Sequence, residues 1–429
     1  MFRKRYKRIT AGLAITGTMA LALAGCSAST ASTTSSPAHG TITFVTYEGG
    51  AAGAKWTQLI KSFEAANPGD KVKMEVEPGD ATYDNLVKSR IQGGNAPDVF
   101  EVVNGLPGEL PYVKAGLLKD LSNQAWSKKL IPAIAAYSAS TDNRTYTFTT
   151  SINTVGVYYN KSIFTKYGVS VPKDWNAFLA AVKKFRAAGV TPLSLGAKDG
   201  WPLPIQISAM ISSEPGYSAA PSKEAPSLLS GKLAFSKSAA WQKVTSDFAS
   251  LVKMGAYDQD ASGVTWPSSA TEFANGNTAM MLQVDAAIPA IRTANPGLDF
   301  GDFVLPYVHA GQTPAVPIGG SAMLAIPAKA KNSALAEKFL DYLATPSVMK
   351  RYLQTAVALS SLKGITPKAD PAVEELLPAL NKKAVDFTLA QGTDAATTAA
   401  ETSGLQAMVA GSGSASDLLN AMDRAQTTN

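Results

Sequence analysis

Residues 41–47 read TITFVTY and residues 93–103 read GGNAPDVFEVV, and the segments joining them decide the fold. Thr41 to Tyr47 alternates polar and apolar as a strand does, and Glu48-Gly49-Gly50 stops it. Trp56, Leu59, Ile60 and Phe63 then recur at helical spacing up to the turn Asn67-Pro68-Gly69-Asp70. Val72 to Val76 is a second alternating run, Ala81 to Gln92 a second helical one, and Val99 to Val103 an apolar third strand. This βαβαβ rhythm predicts an α/β fold with a mostly parallel sheet covered by helices on both faces.

Working outward, further marks follow in order. Val157-Tyr158-Tyr159-Asn160-Lys161 precedes Phe164, Gly168, Pro172 and Asp174-Trp175, then a helix reaching Ala188-Gly189 and Thr191-Pro192. Phe273 to Met280 reads FANGNTAM. Ile318-Gly319-Gly320-Ser321 leads to Ala325-Ile326-Pro327, Lys331-Asn332 and a helix from Ala334 to Leu343. With FEAANPG at 63–69 and GGNAPDVFEV at 93–102, this order resembles the extracellular solute-binding proteins that include maltose-binding protein, over about residues 40 to 365. The resemblance implies a two-lobed periplasmic-binding-protein-like (type II) α/β fold with a hinge and an interlobe ligand cleft. It puts lobe one at 40–148 plus 303–364 and lobe two at 149–302 plus 365–429. In the tail, Leu376, Leu377, Leu380, Leu405, Met408, Leu418, Leu419 and Met422 read as core packing.

The N-terminus adds a location. Arg3, Lys4, Arg5, Lys7 and Arg8 precede an apolar stretch from about Ile9 to Leu23, the pattern of a secretory signal and too short for a membrane span. Leu23-Ala24-Gly25-Cys26 resembles a bacterial lipobox, so residues 1–26 are expected to be a lipoprotein signal peptide with Cys26 lipidated. Residues 27–39, rich in Ser, Thr and Ala, read as a flexible tether. The expected location is the extracellular face of the cell membrane.

Composition narrows the function further. Five of the 39 Lys and Arg lie in the signal and none of the 33 acids do, so the rest of the chain carries a net charge of +1. Its balance offers no footprint for nucleic acid. Cys26 is the single cysteine and only two histidines occur, with no metal-ligand spacing, phosphate loop or nucleophile elbow. Neither cofactor nor metal is expected, and no enzymatic activity. A paired-carboxylate glycosidase remains an open alternative among 33 acids, as does a binder of a non-sugar solute.

Sugars present hydroxyls at their edges and CH patches on their faces, so their sites need planar polar groups and aromatic platforms. In open α/β sheets ligands sit beyond the carboxyl ends of strands. That rule selects Tyr47 and Glu48 after the first strand and Asn104 after the third. Asp199 and Trp201, in the loop GAKDGWP at 196–202, match by resemblance an acid and an aromatic of maltose-binding protein; the Trp either stacks on a sugar or packs at the hinge. Trp266, in what reads as a polar loop at 259–271, is a further candidate. Many relatives have Gly-x-Trp where this chain has Val284-Asp285-Ala286; Gln283 and Asp285 keep polar capacity while Trp201 or Trp266 would replace the lost platform. Gly319 and Gly320 serve either as close-approach backbone or as a plain hinge. The resemblance implies a sugar ligand, the permease subunits of an ATP-driven importer, and a monomer.

Overall fold

The computed structural model describes residues 39–426 except 78–79, 104–107, 133, 136–141, 215–216, 218–223, 357, 366–369 and 387–392. Cys26, the signal peptide, the tether up to residue 38 and Asn104 lie outside the described residues.

β1 (Thr41–Thr46) buries Ile42, Phe44, Val45 and Thr46, the near-continuous burial of a strand covered on both faces. The helix Gly50–Ala66 returns the chain to β2 (Lys71–Val76), which pairs parallel to β1. Its buried stripe is the one read from spacing: Trp56, Leu59, Ile60 and Phe63, with Trp56 at 5.2 Å from Phe44. The helix Asp80–Gln92 leads to β3 (Val99–Val102), which lies parallel on the other side of β1. Just before β3, Asp98 accepts hydrogen bonds from the backbone N–H groups of Thr43 and Asn332, tying three distant segments together.

The sheet beyond this opening is not mostly parallel. β4 (Thr147–Asn160) and β8 (Val316–Ala325) run antiparallel to each other, and β8 runs antiparallel to β3. Periodicity revealed the first three strands, but not that β4 takes its neighbours from about 120 to 210 residues downstream. The first half of β4, Thr147 to Thr154, pairs with β8; its second half pairs with β6 (Thr278–Val284) from Val155 and with β7 (Phe300–Phe303) from Val157. β5 (Thr191–Ser194) completes this second group parallel to β6. β9 (Leu359–Ser360) adds to β4, and β10 (Ala384–Asp386) pairs parallel to the start of β8. One strand thus passes from one sheet region into the other at Thr154–Val155.

Helices cover both regions. Asp174 caps Trp175–Ala187 by accepting from the Ala177 N–H at 2.9 Å, the polar start that the Asp-Trp pair signals. Around the second region, Phe178, Phe185, Trp241 and Phe248 pack with Leu405, Met408, Leu418, Leu419 and Met422 of the two last helices, Ala395–Val409 and Ala415–Gln426. The helix Pro371–Lys382 packs elsewhere. Its Ala372, Val373 and Leu376 join Phe300 of β7 and Ile318 of β8 in a core that draws on both regions. Among the described residues no helix is long and apolar enough to cross a membrane.

Candidate functional site

Strand direction fixes where the candidate residues gather. β3 is antiparallel to β8, with Phe100 opposite Ala325 and Val102 opposite Met323, so its carboxyl end points toward the start of β8. β1, parallel to β3, ends the same way. In the second region Val284, at the carboxyl end of β6, pairs with Val155, and β5 runs parallel to β6. The carboxyl ends of all four strands therefore face the passage of β4 at Thr154–Val155, from opposite sides. This is the type of crevice that open α/β sheets use for ligands.

On the first side, Tyr47 and Glu48 follow β1. The Tyr47 ring packs edge-on against Tyr83 with centroids 5.4 Å apart. The Glu48 carboxylate accepts from Trp56 Nε1 at 2.9 Å and pairs with Lys55 at 2.9 Å, so the helix that follows grips it.

On the second side, three candidates from separate parts of the chain form one cluster. Gly196 lies directly against the backbone of Thr265 and Trp266; a Cβ there would come within 2.6 Å of the Trp266 Cα. This approach lets Asp199 Oδ2 accept the Trp266 N–H at 2.7 Å. Trp266 does not lie in a loop but opens the helix Trp266–Ala274, with Thr265 as its cap and Pro267 in the first turn. Asp199 thus supplies an anion to a helix N-terminus, where exposed N–H groups favour one. The rings of Trp201 and Trp266 meet edge to face at 5.5 Å and 72°. Trp201 is 42% exposed, one of two large apolar side chains exposed among the described residues.

Along β4 lies a third group. Asp285, at the end of β6, accepts from Thr154 Oγ1 at 3.3 Å. Gly319 and Gly320 are ladder residues of β8 opposite Asn153 and Ile152, and a Cβ on Gly320 would press on Thr149 and Met323. Gln283, opposite Gly156, is buried and turns its Oε1 back to the Val284 N–H at 2.8 Å. Sequence reasoning passed over Asn153 and Ser321. Both are half-buried polar residues on strands otherwise buried at this point, and a polar side chain interrupting such a run was the available signal.

Burial dominates the electrostatics of the passage. Asp285 is pushed up to about 7, chiefly by desolvation, against hydrogen bonds from Thr154 and nearby backbone that favour its charged form. Asp302 on β7 is buried with no hydrogen-bond partner for either oxygen, and burial, then Asp285 and Glu375, hold it well above the usual carboxylate range. Among the described residues no group of three or more His, Cys, Asp or Glu is arranged to hold a metal ion.

The close approach at Gly196 makes a prediction. Gly196→Ala places a methyl group against backbone, which cannot swing aside, so the start of the Trp266 helix must move. The Asp199 bond and the Trp201–Trp266 contact are expected to go with it. Calorimetric titration should then show ligand affinity reduced tenfold or more; unchanged affinity would mean that the cluster does not form a binding wall.

Comparison with known proteins agrees with this architecture. A family model described as bacterial extracellular solute-binding protein matches residues 48–350. The multiple sugar-binding protein of Streptococcus mutans is 27% identical over 328 residues, covering 74% of each chain. Among solved structures, a putative binding protein from Bacillus subtilis in an open conformation superposes with a TM-score of 0.78 at 17% identity, covering 91% of this chain and 97% of that one. A sugar transporter protein from Bacillus licheniformis in complex with stachyose gives a TM-score of 0.72 at 16% identity, covering 90% and 98%.

Proposed function

The chain belongs to the bacterial extracellular solute-binding proteins, and from that premise we propose that it captures a sugar, from monosaccharide to short oligosaccharide, between two lobes and delivers it to the permease subunits of an ATP-driven importer. The observation that carries this reading is the Trp201–Trp266 pair, steadied by Asp199 at the carboxyl-end rim of β5. An indole face left in water beside polar groups suits the CH face of a pyranose, with the neighbouring donors and acceptors taking its hydroxyls. The names of relatives support the ligand class: multiple sugars for the Streptococcus mutans protein, and melibiose, raffinose and stachyose for a Bacillus subtilis protein 23% identical over 166 residues.

In this reading lobe one is 40–148 plus 303–364 and lobe two is 149–302 plus 365–429, with the first crossing in β4. Tyr47, Glu48, Gly319 and Gly320 line the lobe-one wall, and Asn104, outside the described residues, is a further ligand-binding candidate by its place in the sequence. Asp199, Trp201, Trp266, Gln283 and Asp285 line the other, and Asn153 and Ser321 form the floor. Hinged closure around the sugar supplies the contacts that favour the closed form. Residues 1–26 direct export, the lipid on Cys26 holds the protein at the outer membrane face, and the protein acts as a monomer without turnover of its ligand.

Thermal melting against a panel of mono- and oligosaccharides, with polyamines and peptides as controls, tests the proposal. A ligand at 100 times its Kd should stabilise the fold by about 2.7 kcal/mol. A marked rise with one sugar, recovered unchanged, supports capture. A rise only with polyamine or peptide would replace the sugar with another solute, and disappearance of the sugar would reveal an enzyme.

A further inference from the structure

Beneath the loop Tyr47–Glu48 lies a carboxyl group that the ligand-binding reading does not use. Glu101, in the middle of β3, is completely buried. Its Oε2 accepts from Thr46 Oγ1 at 2.5 Å, and the same Thr46 oxygen accepts the Glu48 N–H at 3.0 Å. A two-bond relay thus runs from Glu101 through Thr46 to the backbone of Glu48. Tyr83 braces both ends, donating its hydroxyl to the carbonyls of Val45 and Glu101 while its ring supports Tyr47. The second oxygen of Glu101, Oε1, is buried without a hydrogen bond of good geometry, the nearby Trp56 Nε1–H being given to Glu48.

The surroundings decide which form of the carboxyl this geometry accepts. Glu48 faces it from the end of β1 and Lys55 from the helix Gly50–Ala66. Tyr83 faces it from the helix Asp80–Gln92, with Asp84 and Tyr112 behind. Tyr352, on the helix Pro346–Ala356, reaches Lys55 and Glu48. Leu324, the partner of Glu101 on β8, carries no charge. Lys55 is the one cation among these groups, and it is already paired with Glu48. A charge on Glu101 would be desolvated, repelled by Glu48, and unsatisfied at Oε1; a proton removes all three costs. Burial and then Glu48 accordingly push the group up to about 8.

We propose that Glu101 is a positioning residue that holds the ligand loop Tyr47–Glu48 through Thr46 while its carboxyl is protonated and loosens it when that proton leaves. The ionised carboxyl draws Lys55 away from Glu48, so the Glu48 side chain loses its clamp and the loop its fixed geometry. Ligand affinity then falls with rising pH. The role at the ligand rests on the proposed function; the coupling between Glu101 and Glu48 does not.

Two measurements separate these claims. In ligand-free protein carrying 13C-labelled glutamate carboxyls, NMR between pH 5.5 and 9.5 should show one carboxyl titrating near the value above and absent from E101Q. The Glu48 signal, assigned with E48Q, should shift with the same midpoint, and the Glu48 backbone amide signal should follow it in the wild type, cease to follow it in T46V and follow it again in T46S. The second measurement is the Kd of the best sugar from the melting panel. It should weaken about tenfold between pH 6.5 and 9 in the wild type and stay constant with pH in E101Q. No carboxyl titrating above pH 6.5, or a Glu48 signal insensitive to it, overturns the coupling whatever the ligand. Coupling by NMR with sugar affinity equally pH-independent in wild type and E101Q overturns the positioning role. A panel with no sugar bound overturns the sugar reading alone, and the NMR result then decides the coupling.

Discussion

Gly156→Ala is expected to destabilise the protein by about 3 kcal/mol or more, although the position lies within a strand and a side chain there would ordinarily help. Gly156 sits in the second half of β4, beside the passage between the two sheet regions. The carboxyl group of Asp302 lies flat against it: a Cβ at Gly156 would be 2.0 Å from Oδ1 and 2.5 Å from Cγ and Oδ2. The usual gain from Gly to Ala, about 0.4–1 kcal/mol through the unfolded state, cannot offset such an overlap. Asp302 is buried and short, so it cannot rotate into solvent without pulling β7 from β4. Denaturant unfolding checks the value. The double variant G156A/D302G should recover most of the loss, giving a coupling of more than about 1.5 kcal/mol. A loss under about 0.5 kcal/mol would show that the strands part freely there.

Asp302→Asn is expected to change how stability depends on pH. Asp302 holds its proton more tightly in the folded protein than in the unfolded chain, where a carboxyl titrates near about 3.9. Its contribution is therefore complete below that value and is lost as pH rises toward the folded-state midpoint. Each such group removes about 1.4 kcal/mol per pH unit in the intervening range. Asn keeps the shape and cannot ionise. Above pH 5 the variant's stability should fall less steeply with rising pH than the wild type's, with Asp285 and Glu101 still contributing their shares. Urea unfolding at four or five pH values measures the two slopes. Parallel slopes would mean that Asp302 is ionised in the folded state or reached by water.

These two sites show where sequence reading ends. The opening β1–helix–β2–helix–β3 unit was legible because each element carries its own period and each junction its own breaker, such as Asn67-Pro68-Gly69. β4 was met only as the mark Val157 to Lys161, and its change of partner at Val155 depends on segments about 120 to 180 residues further on. Gly156 drew no notice in the sequence, since nothing near it in the chain announces Asp302.

The candidate site divides in the same way. Asp199 and Trp201 stood out in one loop, but their union with Trp266 required the close approach of Gly196. The helix start at Trp266 was readable from Thr265 and Pro267, a capping hydroxyl and a first-turn proline, and was obscured by the polar residues around them. Glu48 was selected by its place after a strand, whereas its grip by Trp56 and Lys55 follows from where the next helix packs.

The most direct test of the central claim is a calorimetric titration of wild-type protein and W201A with the sugar that most raises the melting temperature. The account predicts saturable one-to-one binding to the wild type, with the sugar recovered intact, and affinity weaker by about tenfold or more in W201A, as expected for loss of a stacked indole face. Equal affinity in both proteins would contradict it, because the exposed indole would then lie outside the ligand site.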